Sequence, residues 1–585
     1  MYDEERRIIE AQIQAELRAR GLPELPLTWS WIPFSGKWGI STSVFAVAAA
    51  EIKARGGGNP RQRAEEMAQM LAGSLVLPGG FERVEAVRGY LNFYFSTPDY
   101  SQTLIDTVLA RGAKYGWAEP RAKTAMVEFS QPNTHKAFHV GHLRNMILGA
   151  AVANVLEAAG WQVVRANYVG DIGLHVIKWL WNYSTYHAGE QPPQEDKTRW
   201  MGALYEEADR RYEESEEAQA QVRALFARWD RRDEDVVALW RLTREWSLEG
   251  FDEIYRLMGI SFDRAYFESE VEDEGKDLVK DLVARGIARD ERPDGPVIVP
   301  LEELTGEKQD RVLVILRSDG TSLYATKDIP LAIKKFQEYD LDLSLYVVDV
   351  RQSLYLRQIF KTLELMGYSW AERCHHLAYE LVNLPGNVTM SSREGTVVLI
   401  EDLVAEAMKR ALAVVEGKNP ELPAEVKQGV AKAVALGALK YSMLSRDNTK
   451  LVTFVWEDAL NINGQAAPYI QYAYVRANSI LRRAGDEIPA SARPTHELDA
   501  AEVELINWIS RFPDEVQRSA QEYRPLYIAN SVYEIARAFN NFYMACPVLQ
   551  AEDEVRAFRL RLVAAARQAI SNGLALLGVS APAVM

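Results

Sequence analysis

Two histidines flank a glycine in His139-Val140-Gly141-His142, a pattern suited to nucleotide chemistry. Imidazoles donate hydrogen bonds to phosphate oxygens. Gly141 has no side chain, so an adenine ring could approach the backbone closely. The residues before the motif, Ala125-Met126-Val127-Glu128-Phe129, read as a buried strand. A polar loop with Pro132, Asn133, Lys136 and Phe138 follows, and then a helix from about 141 to 159. A helix starting there offers free backbone N–H groups and a positive dipole end, which suits phosphate. Four such residues are a weak signal alone; the strand, loop and helix around them make the signal specific.

Other elements must hold that loop in place. Residues 163–169 (Val-Val-Arg-Ala-Asn-Tyr-Val) read as the next strand, which completes a parallel strand–helix–strand unit. Upstream, Ile8, Ile9, Ile13 and Leu17 mark an amphipathic helix over 5–20. A second helix near 42–54 stops at Gly56-Gly57-Gly58, and the run from Tyr90 to Phe95 is strand-like. Residues 182–250 lack strand patterns and read as a helical insertion, extending to about 270. Strands return at 297–299, 312–316 and 345–350. From about 401 the pattern is helical to the end, with Pro420, Pro423, Pro489, Pro494 and Pro513 as breaks between helices. The expected fold class is α/β: a Rossmann-like catalytic domain with a parallel sheet over 120–400, a small N-terminal α/β domain over 1–105, and an all-helical C-terminal domain over 401–585.

The stretch Glu128-Phe129-Ser130-Gln131-Pro132-Asn133-Thr134-His135-Lys136-Ala137-Phe138-His139-Val140-Gly141-His142-Leu143-Arg144 is similar to the first signature of arginyl-tRNA synthetases, a class I aminoacyl-tRNA synthetase family. The match continues through Asn167-Tyr168-Val169-Gly170-Asp171-Ile172-Gly173, after which His175 stands where the family usually has glutamine. The resemblance covers nearly the whole chain and implies ATP-dependent activation of L-arginine to arginyl-adenylate, with pyrophosphate released. Transfer to the 3′-terminal adenosine of tRNA(Arg) follows, with AMP as the other product. Magnesium is expected with ATP.

The second class I signature, KMSKS, is degenerate here. Its counterpart is Val388-Thr389-Met390-Ser391-Ser392-Arg393-Glu394-Gly395, in which Thr389 and Ser392 replace both lysines. Those lysines stabilise charge developing on the ATP phosphates, a term that is often the largest in catalysis. The resemblance makes Lys136 the candidate substitute and Arg393 the second. It assigns ATP binding to His139, Gly141, His142, Val388, Met390 and Ser391.

A guanidinium has five donors in a planar fork and no acceptor, so its pocket must supply carboxylates and carbonyls. Tyr324 and Asp328 lie four apart and share a face if helical. In the family the matching pair holds the arginine side chain. Glu128, Ser130 and Asn133 fall in the same arginine set, the first and last around the α-amino end, and Gln352 matches an orienting glutamine. Tyr90 and Asn92 match positions that contact the tRNA elbow. Lys440, Tyr472 and Arg476 fall in the helical anticodon-binding region, which in the family reads the middle cytidine of arginine anticodons.

The net charge of −15 argues weakly against a nucleic-acid partner, but phosphates are met by local patches. Residues 431–483 carry seven basic and three acidic side chains, 7 − 3 = +4. Cys374 and Cys546 are far apart and without CxxC spacing, so the expectation is two reduced core thiols and no zinc. Neither a signal peptide nor a membrane span is legible. A cytoplasmic monomer is the expected form. Three rivals stay open at this point. A cysteinyl enzyme should carry cysteine-ligated zinc. An inactive tRNA-binding paralogue would explain the missing lysines. A nucleotidyltransferase would not need the C-terminal domain.

Overall fold

A computed structural model describes residues 2–34, 36–384, 388–389, 398–485 and 488–585. The chain forms two compact units, each assembled from separate stretches of sequence.

The first unit holds residues 1–115, 473–513 and 531–572. Helix α1 (Asp3–Ala19) is followed by β1 (Trp29–Trp31), β2 (Gly39–Ser43), α2 (Phe45–Arg55), α3 (Pro60–Ala72), β3 (Phe81–Val87), β4 (Tyr90–Phe95) and α4 (Thr97–Arg111). The four strands make an antiparallel sheet in the order β1-β2-β4-β3. Strand β4 shows the period of two: Leu91, Phe93 and Phe95 are fully buried. Tyr90 and Asn92 therefore share the other face. Tyr90 is exposed, and Asn92 accepts a hydrogen bond from Ser41.

The second unit holds residues 116–472, 514–530 and 573–585. Its centre is a five-stranded parallel sheet. The strands are β5 (Thr124–Glu128), β6 (Gln162–Val169), β7 (Arg264–Phe267), and, further along, Leu343–Asp349 and Cys374–Tyr379. The crossover from β5 to β6 is α5 (Val140–Ala158), buried along most of its length, as a helix covered on both sides should be. Between β6 and β7 stand α6 (Leu174–Tyr186), α7 (Lys197–Glu214), α8 (Glu216–Asp230) and α9 (Glu234–Met258). These helices close their own apolar cluster around Trp179, Leu180, Met201 and Val222, which makes the insertion a packed body rather than a loop.

After β7 come α10 (Glu272–Ala284), β8 (Arg289–Asp290), β9 (Val297–Val299), α11 (Leu301–Thr305), β10 (Leu313–Leu316) and α12 (Tyr324–Glu338). Strands β10, β9 and β8 form a small antiparallel sheet. Next are β11 (Leu343–Asp349), α13 (Ser353–Leu365), β12 (Cys374–Tyr379), β13 (Val382–Leu384) and β14 (Val388–Thr389). The main sheet runs β12-β11-β5-β6-β7, so the order reverses beside β5. In open parallel sheets a ligand crevice lies beyond the carboxyl ends of the strands at such a point.

The chain continues through α14 (Ile400–Lys418), α15 (Ala424–Leu444), β15 (Val452–Thr453), α16 (Trp456–Ala459), α17 (Ala467–Ala484), α18 (Ala500–Glu522), α19 (Leu526–Ala545) and α20 (Asp553–Leu576). Two readings of this region need correction. It is not wholly helical, because β15 pairs in parallel with β13. Pro513 is not a break but lies inside α18. An interior proline costs ~3 kcal/mol through its missing N–H and its ring clash. The carbonyl of Ile509, four residues earlier and deprived of that N–H, accepts from Tyr115 OH at 2.8 Å instead. Both cysteines are buried free thiols. Among the described residues no helix is long and apolar enough to cross a membrane.

Candidate active site

The loop from β5 to α5 is held in an uncommon conformation. Ser130, Gln131 and His135 all have positive φ, at 77°, 50° and 64°. Such backbone persists where the surroundings over-determine it, and functional loops are the usual place. Here the amide of Ser130 donates to Asn145 Oδ1 at 2.6 Å and that of Gln131 to Asn167 Oδ1 at 3.1 Å. The buried His135 ring sits 2.9 Å from the hydroxyls of both Thr134 and Thr243, and its amide donates to Ser247 Oγ. Thr134 N donates to Gly170 O, and Gly170 N donates to Pro132 O, both at 2.9 Å, which joins this loop to the end of β6. A Cβ at 170 would lie 2.2 Å from Asn133 Oδ1, so any larger residue would have to push that amide aside.

At the start of α5 the first expectation changes. The N–H groups of Val140, Gly141 and His142 are already bonded, to Val398 O, His139 Nδ1 and His139 O. They are not free for phosphate. The two imidazoles are themselves held in fixed orientations. His139 Nδ1 accepts from Gly141 N at 3.1 Å, and His142 Nδ1 accepts from His139 N at 3.2 Å. With both Nδ1 atoms accepting, a neutral ring must carry its proton on Nε2, so each ring has one outward donor. Burial, followed by the neighbouring Lys136 charge, lowers His139 to about 4. Burial lowers His142 well below the usual histidine range, with His139 and Lys136 adding to it. Both are neutral donors at pH 7. A Cβ on Gly141 would meet the His139 ring at 2.8 Å, so the glycine is needed for this fold-back.

Lys136 is half-buried, with Nζ 4.6 Å from the Tyr205 ring centroid on α7. Burial lowers its ammonium; Asp209 opposes this and Lys178 adds to it. His175 lies within reach of the same charge: burial, then Lys136, lowers it to about 3. Its Nε2 is buried without a hydrogen-bond partner.

Beyond the strand ends is a cavity of about 280 Å³. Glu128, Asn133, Tyr324, Asp328 and Gln352 all line it. Tyr324 and Asp328 occupy the first turns of α12, on one face. Ser130 is not among the lining residues; its hydroxyl is turned to Tyr255 OH at 2.7 Å in the interior. Glu128 is also less available than expected, because Lys335 pairs with one oxygen and Gln131 Nε2 donates to the other at 2.9 Å. Glu268 pairs with Lys327 at 2.6 Å. Among the described residues Glu128 and Glu268 each have a lysine partner and Asp328 has none, while burial pushes Glu268 up to about 7, so its charge is only partly present at neutral pH.

The Asp328 carboxyl accepts from Tyr355 OH at 2.5 Å through Oδ2, while Oδ1 is buried and bonded to nothing. The Tyr168 hydroxyl, on the cavity wall, makes no hydrogen bond of ordinary length but lies close enough to the Asp328 carboxyl to favour its charged form, and the Tyr346 hydroxyl lines the wall beside it. Burial raises Asp328 to about 6, against the stabilising Tyr355 hydrogen bond. Lys335, Glu268, Lys327 and Tyr355 carry no motif and were not legible; Tyr168 stood inside the Asn167–Gly173 stretch and could have been.

Other expected residues separate. Lys440 does not face RNA: it is 7% exposed, and Nζ donates to Met258 O at 2.7 Å and Gly578 O at 2.6 Å. Its place in the middle of a buried helix face explains this. Tyr472 is exposed. Arg476 bonds Asn540 at 2.6 Å and lies 4.5 Å from the Tyr543 ring centroid. Val388 lies on β14, with only its backbone described. Met390, Ser391 and Arg393 lie outside the described residues.

A parallel sheet, two signature histidines at the switch point and a helical C-terminal region define a class I aminoacyl-tRNA synthetase. Residues 104–456 match the family described as tRNA synthetases class I (R), catalytic domain, and residues 470–585 match the DALR anticodon binding domain. An arginine–tRNA ligase of Bacteroides fragilis is 34% identical over 550 residues, covering 89% of this chain and 90% of that one. One from Clostridium beijerinckii is 34% identical over 525 residues, with the same shares. The arginyl-tRNA synthetase of Thermus thermophilus superposes with a TM-score of 0.77 at 29% identity, over 99% of this chain and 100% of that one. The fold is also that of the Plasmodium falciparum enzyme, with a TM-score of 0.74 at 19% identity over 99% and 98% of the two chains. The chain belongs to the arginyl-tRNA synthetase family. It activates L-arginine with ATP and transfers it to tRNA.

Proposed function

We propose that Asp328 is the anchor for the substrate guanidinium. The observation that carries this is its buried, unbonded Oδ1 in a cavity whose other carboxylates are ion-paired. The hydroxyls of Tyr168 and Tyr346 add acceptors for a fork of five donors. Tyr324, exposed at the rim, covers the entrance, and Gln352 orients the substrate from the other side. Asn133 receives the α-amino end, and Glu128 acts there through its field, since Lys335 and Gln131 occupy its oxygens.

His139 and His142 donate Nε2–H to ATP phosphates as the pyrophosphate departs. Lys136 supplies the positive charge that Thr389 and Ser392 cannot. Val388, Met390, Ser391 and Arg393 meet ATP from the second signature. Magnesium arrives with ATP, held by its phosphates. The functional division is a tRNA-elbow domain over 1–105, a catalytic domain over 120–400 and an anticodon-binding domain over 401–585. Tyr90, Asn92, Tyr472 and Arg476 contact tRNA. The enzyme works as a cytoplasmic monomer.

Asp328→Asn tests the anchor. It is nearly isosteric and removes a charge-assisted hydrogen bond of ~1.5–3 kcal/mol, roughly ten- to a hundredfold in affinity. In ATP–pyrophosphate exchange the KM for arginine should rise by that factor while the KM for ATP stays within about twofold. An equal rise in both would take Asp328 out of the arginine pocket.

A further inference from the structure

Arg144 is 2% exposed in the second turn of α5, two residues beyond His142. Among the described residues it has no carboxylate partner. Its guanidinium instead fans out over five backbone carbonyls. Nη1 donates to Glu380 O and, at 3.0 Å, to Leu381 O. Nη2 donates to Asp447 O at 3.5 Å, Asn448 O at 3.4 Å and Lys450 O at 3.0 Å. Burial lowers the group to about 10, so it remains charged at pH 7.

These carbonyls mark a particular place in the chain. Leu381 immediately precedes β13, and Lys450 lies two residues before β15. The two strands pair in parallel, Val382 with Val452 and Asn383 with Thr453. One side chain therefore grips the start of both. Strand β13 leads into the second signature. On the far side of that signature, Val398 O accepts from Val140 N at 3.2 Å, and Ile400 N donates to Phe138 O at 3.3 Å. The chain thus leaves from and returns to the segment that carries His139 and His142. Backbone bonds fix the return, and at the departure the Arg144 side chain adds its hydrogen bonds to the backbone pairing of β13 with β15.

We propose that Arg144 is a positioning residue for adenylate formation, holding β13 in register with the two histidines. A stability role alone needs no such convergence on one strand pair. Lysine cannot take the place of this residue, because three donors on one atom do not span five carbonyls. The proposal rests on the reading of the second signature as an ATP-binding segment.

Arg144→Lys and Arg144→Met test it in the full-length enzyme, with three readouts: ATP–pyrophosphate exchange, calorimetric arginine binding without ATP, and thermal unfolding. A displacement of about 1 Å in a catalytic constellation costs roughly a hundredfold. The expected result in both variants is a kcat for activation lower by about that factor and a raised KM for ATP. Arginine affinity should stay within about twofold. Unchanged kcat and KM for ATP in a folded variant would overturn the proposal. So would loss of arginine binding together with the unfolding transition in both variants, which would make Arg144 a stability residue only. Arg393→Ala, measured alongside, separates the underlying reading. If that variant leaves the KM for ATP unchanged while the Arg144 variants lose kcat, the reading of Arg393 as an ATP contact has failed and the positioning role has not.

Discussion

At the residue scale, the site is built from charges that burial has moved away from their ordinary behaviour. Asp328 is the case with a direct consequence for pH. Its carboxyl titrates near 6 in the free enzyme because burial disfavours the charged form. A guanidinium binds the carboxylate, not the acid. As pH falls through about 6, kcat/KM for arginine should therefore fall tenfold per pH unit, reporting the free enzyme. Bound arginine favours the carboxylate, so the limb in kcat should lie at lower pH. His139, near 4, stays neutral throughout this window, but Glu268, pushed up to about 7 by burial on the same cavity wall, titrates just above Asp328 and adds to the limb. Asp328→Asn should lose the part of the limb near 6 and keep any part near 7; persistence of the part near 6 would assign that titration elsewhere. Lys136 offers a second test. If it replaces the missing signature lysines, Lys136→Met should lower kcat for activation more than it raises the KM for ATP. Removing one such donor costs ~2.7–4 kcal/mol, about a hundred- to a thousandfold. Ser392→Lys in that background should recover part of the rate. Full activity of Lys136→Met would move the role to Arg393.

At the element scale, the β5–α5 loop and the end of β6 act as one piece. Gly170 is the joint, with no room for a Cβ against Asn133 Oδ1. Gly170→Ala should displace the Asn133 amide while leaving the sheet intact. The KM for arginine should rise roughly two- to tenfold, the scale of one hydrogen bond at ~0.5–1.5 kcal/mol. In an Asn133→Ala background the same change should cost almost nothing further, because the two residues share one contact. Additive losses in that double mutant would refute the coupling. This joint also shows how far sequence reading reaches. The strand at 124–128, the helix at 140–158 and the strand at 162–169 were legible because their apolar runs are long and their ends carry turn residues. The use of the α5 amides was not, since Val398 comes from 258 residues further on, 398 − 140 = 258. Lys335 and Glu268 escaped for the same reason: each ion pair joins distant segments, and one lysine among many gives no periodic signal. Lys440 misled because a basic residue in a helical RNA-binding region passes for an RNA contact until the helix face is known. Asp328 and Tyr324 were legible because four residues on a helix fix a common face.

At the scale of the whole molecule, a net charge of −15 meets a polyanionic substrate. Long-range attraction cannot bring tRNA to this surface, so binding must rest on local contacts between basic side chains and phosphates. Each such contact releases counterions and adds roughly 0.7–0.9 to the slope of log affinity against log salt. Two contacts already weaken binding about tenfold between ~50 and 200 mM salt. The Kd for tRNA should therefore rise at least that much over this range. Arginine affinity should change by less than about twofold, because its anchor is a buried carboxyl, which salt screens little. Filter binding and calorimetry on the same preparation give both numbers. The match of residues 470–585 to an anticodon-binding domain adds a sequence-dependent part to this salt-dependent one. Replacing the middle cytidine of the anticodon should lower kcat/KM for charging but leave the salt slope in place, since phosphates position and bases specify. Unchanged charging of that tRNA would remove anticodon reading from the C-terminal region. A flattened salt slope with the same tRNA would instead mean that the base change had displaced the phosphate contacts too.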